Sequence, residues 1–200
     1  MDTATHDQKK KVSTKASNGR SSIRTRVNIG ISEENLKQIV VILNRCLANE
    51  SLLTIKVKKL HWDIVGPQFI SLHKLWDEHY TQMTEYVDEI AERVRSRGGF
   101  PIGTASGFLE HATVAEHPGV VSSATEAVNA LLQDHELIVR TLRNAIDKCD
   151  DLGDAGTADF LTGMLESHEQ MAWMHRSFLE GEAIRSNDKL PADENVPEFA

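Results

Sequence analysis

The residues best suited to chemistry in this 200-residue chain are four side chains between positions 73 and 92. They are His73, Asp77, Asp88 and Glu92. His73 and Asp77 are separated by four positions, as are Asp88 and Glu92, so on a helix each pair could converge on one ion. Imidazole and carboxylate ligands together suit iron, and also zinc, cobalt or manganese. A ferrous ion held in this way with open coordination positions could meet an oxidant and lose an electron.

The helix that carries these four residues is predicted to present them away from its own core. Its large apolar residues repeat at helical spacing and form one stripe, which must pack against other helices. These residues are Phe69, Leu72, Trp76, Met83, Tyr86, Ile90 and Val94. The four metal-binding side chains span roughly 100° of arc, centred about 140° from that stripe. Asp77 and Asp88 are about 16 Å apart along the axis at ~1.5 Å per residue, so one ion cannot contact both pairs in one chain.

A second copy of the chain would resolve this separation. An antiparallel copy of the same helix, related by a two-fold axis, would bring Asp88 and Glu92 of one chain beside His73 and Asp77 of the other. His61, near the end of the preceding helix, could add a second imidazole. Charged residues on an outward helix face are also typical of a merely solvated surface, and such pairs arise by chance. The spacing alone leaves both interpretations open.

Four amphipathic helices are predicted to position these residues. The first follows Ser32, which is a good N-cap with acidic residues in the first turn. The second opens at Pro67 and stops at two glycines. The predicted ranges run from Ser32 to between Trp62 and Gly66, from Pro67 to Arg97, and over about 123–152 and 157–181. A crossover over residues 100–121, predicted to be a loop or to contain one short helix, separates the second helix from the third. This order is typical of an all-α, ferritin-like four-helix bundle.

Charge and composition together divide the chain into three predicted parts. The formal net charge is -8, but the segment up to Arg26 holds seven basic and two acidic side chains, a balance of +5 that leaves -13 for the remainder. Residues 1–30 have almost no large apolar side chains and are predicted to be a disordered basic arm. Residues 31–182 are predicted to be the bundle and residues 183–200 a tail. No apolar run is long enough to span a bilayer, so no membrane partner is expected.

The basic arm suggests a polyanionic partner. Its positive residues are Lys9, Lys10, Lys11, Lys15, Arg20, Arg24 and Arg26. As a polycation the arm could bind DNA without reading sequence and with strong salt dependence. It could equally be a solvated tail, and the acidic remainder of the chain would repel DNA.

A longer series of motifs resembles the Dps family of ferritin-like proteins. The motifs are KLHW at 59–62, GPQF at 66–69, LH at 72–73, DEIAER at 88–93, GG-x-P-x-G at 98–103, GD at 153–154, TAD at 157–159 and AWM at 172–174. The likeness covers roughly residues 33–182, and the motifs are long and occur in order.

The resemblance implies a hollow homododecamer with ferroxidase centres between subunits. It also implies oxidation of Fe(II) with hydrogen peroxide in preference to oxygen, storage of ferric mineral and protection of DNA. Each ligand position of the family pattern is filled: His61, His73 and Asp77 would come from one chain, and Asp88 and Glu92 from its neighbour. Iron is then the expected metal, with zinc as a competing occupant. The expected location is cytoplasmic, with nucleoid association if DNA is bound.

Acidic residues cluster at the turn between the third and fourth predicted helices. They are Asp150, Asp151, Asp154 and Asp159. Helix capping and turn formation explain such residues without any further role. By resemblance, acidic residues here line three-fold pores through which iron enters, and a symmetric ring of carboxylates would concentrate cations. The resemblance favours this pore role for Asp154 and Asp159, and less strongly for Asp150.

The other histidines and the cysteines are predicted to be structural. His79, His168 and His175 fall on apolar helix stripes and are interpreted as core or interface histidines with satisfied hydrogen bonds; an accessory metal site is the alternative. Cys46 and Cys149 show no Cys-x-x-Cys spacing and are predicted to be reduced, packed thiols of a cytosolic protein.

Three other functions are alternatives to a ferroxidase. A bacterioferritin-type shell is disfavoured because its Glu and Glu-x-x-His ligands point into the bundle core. A nucleoid-compacting DNA-binding protein with a purely structural metal site would bind zinc without turnover. A plain helical assembly protein leaves the complete ligand set unexplained.

Overall fold

The computed structural model describes residues 27–117, 119–120 and 123–185, with the side chains of 182–185 excepted. Within these ranges the chain forms five helices and no strand: α1 (Glu33–Asp63), α2 (Phe69–Ser96), α3 (Ala105–His111), α4 (Ala124–Asp151) and α5 (Ala155–Arg185). The predicted all-α fold and the short helix in the crossover are confirmed. The basic residues predicted to bind DNA lie outside the described residues.

Local signals in the sequence account for most helix ends. The Ser32 hydroxyl accepts a hydrogen bond from the Asn35 backbone N–H at 3.1 Å, which caps α1. Gly66 follows α1 and Gly98 follows α2, each with positive φ (97° and 81°), a conformation that glycine adopts without strain. α5 begins at Ala155, two residues before the predicted start. The reason is Asp154, whose carboxylate accepts the backbone N–H of Thr157 at 3.0 Å and caps the helix there.

The bundle core is built from the predicted apolar stripes. α1 packs along α2, and α4 packs along α5. The α2 residues at the centre of its stripe are fully buried, whereas Tyr86 is only partly buried and Phe69 is exposed. The buried stripe residues of α2 are Leu72, Trp76, Met83, Ile90 and Val94. Each such side chain contributes about 1.5–3 kcal/mol of hydrophobic stabilisation. The packing leaves one face of α2 at the subunit surface.

Polar side chains of α1 hold the crossover between α2 and α4 in place. The Asn44 amide oxygen accepts the Ile102 backbone N–H at 2.8 Å, and that of Asn49 accepts the N–H of Val114 at 3.1 Å. The Lys56 ammonium donates to the Ala115 carbonyl at 3.0 Å. These contacts satisfy backbone groups that a loop lying against the bundle would otherwise leave unpaired. No helix of the described part of the chain is long and apolar enough to cross a membrane.

Candidate metal centre

Three of the five predicted ligands meet where α1 ends and α2 begins. The rings of His61 and His73 stack with their centroids 3.7 Å apart and an interplanar angle of 20°. His61 Nε2 lies 3.8 Å from Oδ1 of Asp77. The turn around Gly66 returns the chain so that the last turn of α1 faces the first turns of α2. A single subunit therefore supplies two imidazoles and one carboxylate to one place.

The hydrogen bonds of the two imidazoles indicate which nitrogen of each ring is left as an acceptor. Nδ1 of His61 lies 2.9 Å from the carbonyl oxygen of His73, and Nδ1 of His73 lies 2.9 Å from the carbonyl oxygen of His61. Because a carbonyl can only accept, each Nδ1 carries the proton and donates it. In the neutral form of each ring the lone pair is then on Nε2, the arrangement that ligating histidines commonly show.

Asp77 is the exposed member of this cluster. Its side chain is 59% exposed, and its Oδ1 lies 3.6 Å from Nζ of Lys58. The same ammonium group lies 3.9 Å from the ring centroid of Tyr80, a cation–π distance. Sequence patterns did not single out Lys58. The Lys58 ammonium group thus contacts both the Asp77 carboxylate and the Tyr80 ring.

The two remaining predicted ligands, Asp88 and Glu92, do not reach this cluster within one subunit. Both are exposed on α2. Asp88 lies 11 positions beyond Asp77, about 16 Å along the helix axis. Their role as ligands of the same ion stays a prediction that depends on a second subunit.

Apolar side chains surround the outward face next to the cluster. Trp62 is 68% exposed, and Ile55 is exposed as well. Both line a groove between α1, α2 and α3 that also contains Tyr80, Val87 and Phe108. Contiguous exposed apolar surface of this kind marks interaction sites. The incomplete ligand set therefore lies beside a surface suited to another protein chain.

Comparison with known proteins places the chain in a family. Residues 40–183 match the model of the ferritin-like domain. The DNA protection during starvation protein of Brevibacillus brevis is 39% identical over 147 residues, which are 73% of this chain and 98% of that protein. This chain belongs to the Dps branch of the ferritin-like proteins.

Two further similarities extend along most of this Dps chain. An uncharacterized low temperature-induced protein of a Nostoc species is 54% identical over 170 residues, 84% of this chain and 95% of that protein. The crystal structure of a Dps protein from Vibrio cholerae O1, described as a member of a broad superfamily of ferritin-like diiron-carboxylate proteins, superimposes with a TM-score of 0.73. It has 25% identity and covers 78% of this chain and 98% of that one.

The aspartates of the acidic turn between α4 and α5 differ in their burial. Asp154 is only 3% exposed, and its carboxylate accepts hydrogen bonds from Arg97 at 2.6 and 2.9 Å. The guanidinium group of Arg93 also lies 3.5 Å from this carboxylate. Asp150 and Asp159 are exposed. Within the subunit the Asp154 carboxylate is thus engaged with arginines, which leaves Asp150 and Asp159 as the residues that the pore proposal depends on.

The buried histidines lie in the core as predicted, but the hydrogen bonds of His79 differ from the prediction. His79, His168 and His175 lie in the core, but both ring nitrogens of His79 lack a hydrogen-bond partner among the described residues, so its predicted satisfied state is wrong. His135, which the sequence analysis missed, lies beside them. It occupies the apolar stripe of α4, four residues after Leu131 and three before Ile138, so the same helical spacing could have found it.

Burial keeps the imidazoles of His79, His135 and His175 neutral. It lowers the pKa of His79 to about 3 and that of His175 to about 4, and it lowers the pKa of His135 well below its ordinary value. Neighbouring histidines lower the pKa values of His79 and His135 further. These rings therefore keep unprotonated nitrogens at neutral pH.

Both cysteines are free and buried, which agrees with their prediction as packed thiols. Burial raises the pKa of Cys46 to about 12 and that of Cys149 to about 11. Since the thiolate is the reactive form, neither cysteine is suited to nucleophilic or redox chemistry.

Proposed function

We propose that this Dps protein oxidises Fe(II) at centres shared by two subunits and stores the ferric product inside a hollow dodecamer. The observation that carries the proposal is the cluster of His61, His73 and Asp77. Its imidazole lone pairs are fixed on Nε2 by paired backbone hydrogen bonds. The cluster lies at an exposed edge beside an apolar groove, and the second half of the ligand set lies on the same outward helix.

Each ligand type has a distinct task in this reaction. The imidazoles of His61 and His73 bind the ferrous substrate, for which nitrogen ligands are suitable. Asp77, with Asp88 and Glu92 of the partner subunit, offsets the additional positive charge as Fe(II) becomes Fe(III). Two ferrous ions supply two electrons to one hydrogen peroxide molecule, which takes up two protons and leaves as two water molecules.

Removal of ferrous iron and peroxide together would protect DNA, because these two reactants generate hydroxyl radicals. Protection therefore needs no contact with DNA. The name of the Brevibacillus relative supports this role, and the similarity to ferritin-like diiron-carboxylate proteins supports iron as the metal. We propose the seven basic residues of the arm as a second, salt-sensitive means of binding DNA, and the exposed Asp150 and Asp159 as the acidic lining of the iron entry pores.

Peroxide consumption tests the proposed chemistry. The metal-free protein is loaded with Fe(II) without oxygen and titrated with hydrogen peroxide, while ferric absorbance and a hydroxyl-radical trap are followed. The expected end point is one peroxide for every two ferrous ions, with little trapped radical, because two electrons pass to each peroxide. Free Fe(II) in buffer is the control. Consumption of one peroxide for each ferrous ion, with as much trapped radical as in the control, would contradict the proposal.

A further inference from the structure

A second group of metal-binding side chains lies inside the bundle, away from the outward face of α2. Each of the four long helices contributes: Glu50 from α1, His79 from α2, His135 from α4, and His168 and His175 from α5. None of the five is more than 4% exposed. Buried polar groups are unfavourable unless they are paired, so ordinary packing does not account for this concentration.

Three of the imidazoles surround one point. Ligand nitrogens of His79, His135 and His175 all lie within 4.8 Å of one another. The ring of His175 lies 5.3 Å from that of His79 and 5.2 Å from that of His135, centroid to centroid. Nitrogens bound to one tetrahedral zinc ion at about 2.0–2.1 Å are about 3.3 Å apart. Shifts of about 1 Å in these side chains would therefore suffice to close the three nitrogens around one cation.

Within the described part of the chain, half of the ring nitrogens at this point have no hydrogen-bond partner. Both ring nitrogens of His79 and Nε2 of His135 lack a hydrogen-bond partner among the described residues. Nδ1 of His175 donates to the carbonyl oxygen of Met171 at 2.8 Å, so the lone pair of this neutral ring is on Nε2. Among the described residues, that Nε2 accepts only the indole N–H of Trp76, at 3.0 Å. A cation would take the place of this single hydrogen bond.

His168 lies next to Nδ1 of His135, and Glu50 lies next to His168. Nδ1 of His135 lies 3.0 Å from Nδ1 of His168, and Nε2 of His168 lies 3.2 Å from Oε2 of Glu50, although not in hydrogen-bonding geometry. If His135 binds a cation through Nε2, its Nδ1–H donates to His168, whose own proton then faces the carboxylate. Ligating histidines commonly have such carboxylate-directed outer partners. The negative charge of Glu50 would partly balance the cation.

We propose that His79, His135 and His175 bind one divalent transition-metal cation of the zinc and cobalt class inside each subunit. His168 and Glu50 orient His135 from behind. Imidazole nitrogens select such cations over magnesium and calcium, which prefer oxygen ligands. Since the site joins α2, α4 and α5 at the core, its cation would stabilise the bundle. This site is independent of the proposed shared ferroxidase centre, because His79 is buried whereas Asp77 is exposed on the outward face of α2.

Cobalt(II) binding tests the proposal in full-length protein whose outward cluster has been removed by His73→Ala with Asp77→Ala. Metal-stripped protein is saturated with Co(II) and freed of excess metal by gel filtration. The bound metal is then measured by elemental analysis, and its ligand field by visible absorption. The expected result is one Co(II) per subunit with the spectrum of nitrogen coordination, together with a higher melting temperature.

Adding His79→Leu to this background is expected to abolish the bound Co(II) and the metal-induced rise in melting temperature. The metal-free form should fold at least as well as before, because His79 makes no hydrogen bond with the described residues. His79→Gln serves as a second variant should leucine disturb assembly, and His111→Ala removes an imidazole outside the cluster as the matched control. Absence of Co(II) in the background protein would overturn the proposal, as would full Co(II) occupancy in both His79 variants.

Discussion

Replacing His73 and Asp88 together by alanine is expected to slow Fe(II) oxidation on the order of 100-fold or more, toward the rate of free iron. Removal of a residue that only hydrogen-bonds to a metal ligand already lowers metal affinity or activity about 10–100-fold. His73 also stacks on His61, so its loss removes a ring contact of the neighbouring imidazole as well. Asp88 supplies charge from the other side of the proposed interface.

The measurement for this variant is ferric absorbance after rapid mixing of metal-free protein with Fe(II) and then peroxide or oxygen. Size-exclusion chromatography should show an unchanged particle, because Asp88 is exposed and His73 is only partly buried. His111→Ala is the matched control and should oxidise iron at the wild-type rate. Oxidation at the wild-type rate by the double variant would show that these residues do not form the centre.

Replacing Asp154 by asparagine is expected to destabilise the subunit by about 3 kcal/mol, the lower end of the range for a broken buried ion pair. The value is at the lower end because Arg97 and Arg93 keep partial contact with water. In a chain of this size such a loss lowers the melting temperature by about 6–12 °C. The exposed Asp150→Asn is the control and should change stability by no more than about 0.5 kcal/mol.

The pH dependence of the stability difference between wild type and Asp154→Asn identifies the charged Asp154 carboxylate as its source. Burial alone would raise the pKa of Asp154, but hydrogen bonds from Arg97 and Thr157 and the charge of Arg97 outweigh it, so the pKa is lowered. The stabilisation is therefore present above the unfolded value of about 3.9 and is lost as the pH falls through the folded pKa. Calorimetry at equal protein concentrations should show wild type and Asp154→Asn converging below about pH 4. Equal melting temperatures at pH 7 would contradict the assignment.

Helical spacing in the sequence was sufficient to predict the fold and the outward face that carries Asp77 and Glu92. Both depend on periodicity within one helix, which burial of an apolar stripe imposes. The start of α5 was placed two residues late because a glycine-rich turn resembles a break. The side-chain cap that Asp154 provides became evident only from its contacts with Thr157. The family was predicted correctly because the motifs from residue 59 to residue 174 are long and ordered.

The histidines of the core were harder to predict from the sequence, because their meeting depends on four helices at once. Glu50 and His135 each lie on the buried stripe of their helix. Since neither is apolar, hydrophobic periodicity did not identify them. Whether such polar positions lie at one level of a bundle depends on how far each helix is shifted along its axis. That shift is set by loops and by long-range contacts such as those of Asn44 and Asn49 with the crossover.

Sharing of the centre between two subunits is tested most directly by mixing two inactive variants. One carries His73→Ala with Asp77→Ala, and the other carries Asp88→Ala with Glu92→Ala. They are coexpressed with different affinity tags, so that mixed particles can be isolated. In each mixed dimer one site loses both halves of its ligand set and the other keeps both, so random pairing should restore about one quarter of the wild-type rate of Fe(II) oxidation. Mixed particles as inactive as either variant alone would contradict the shared centre.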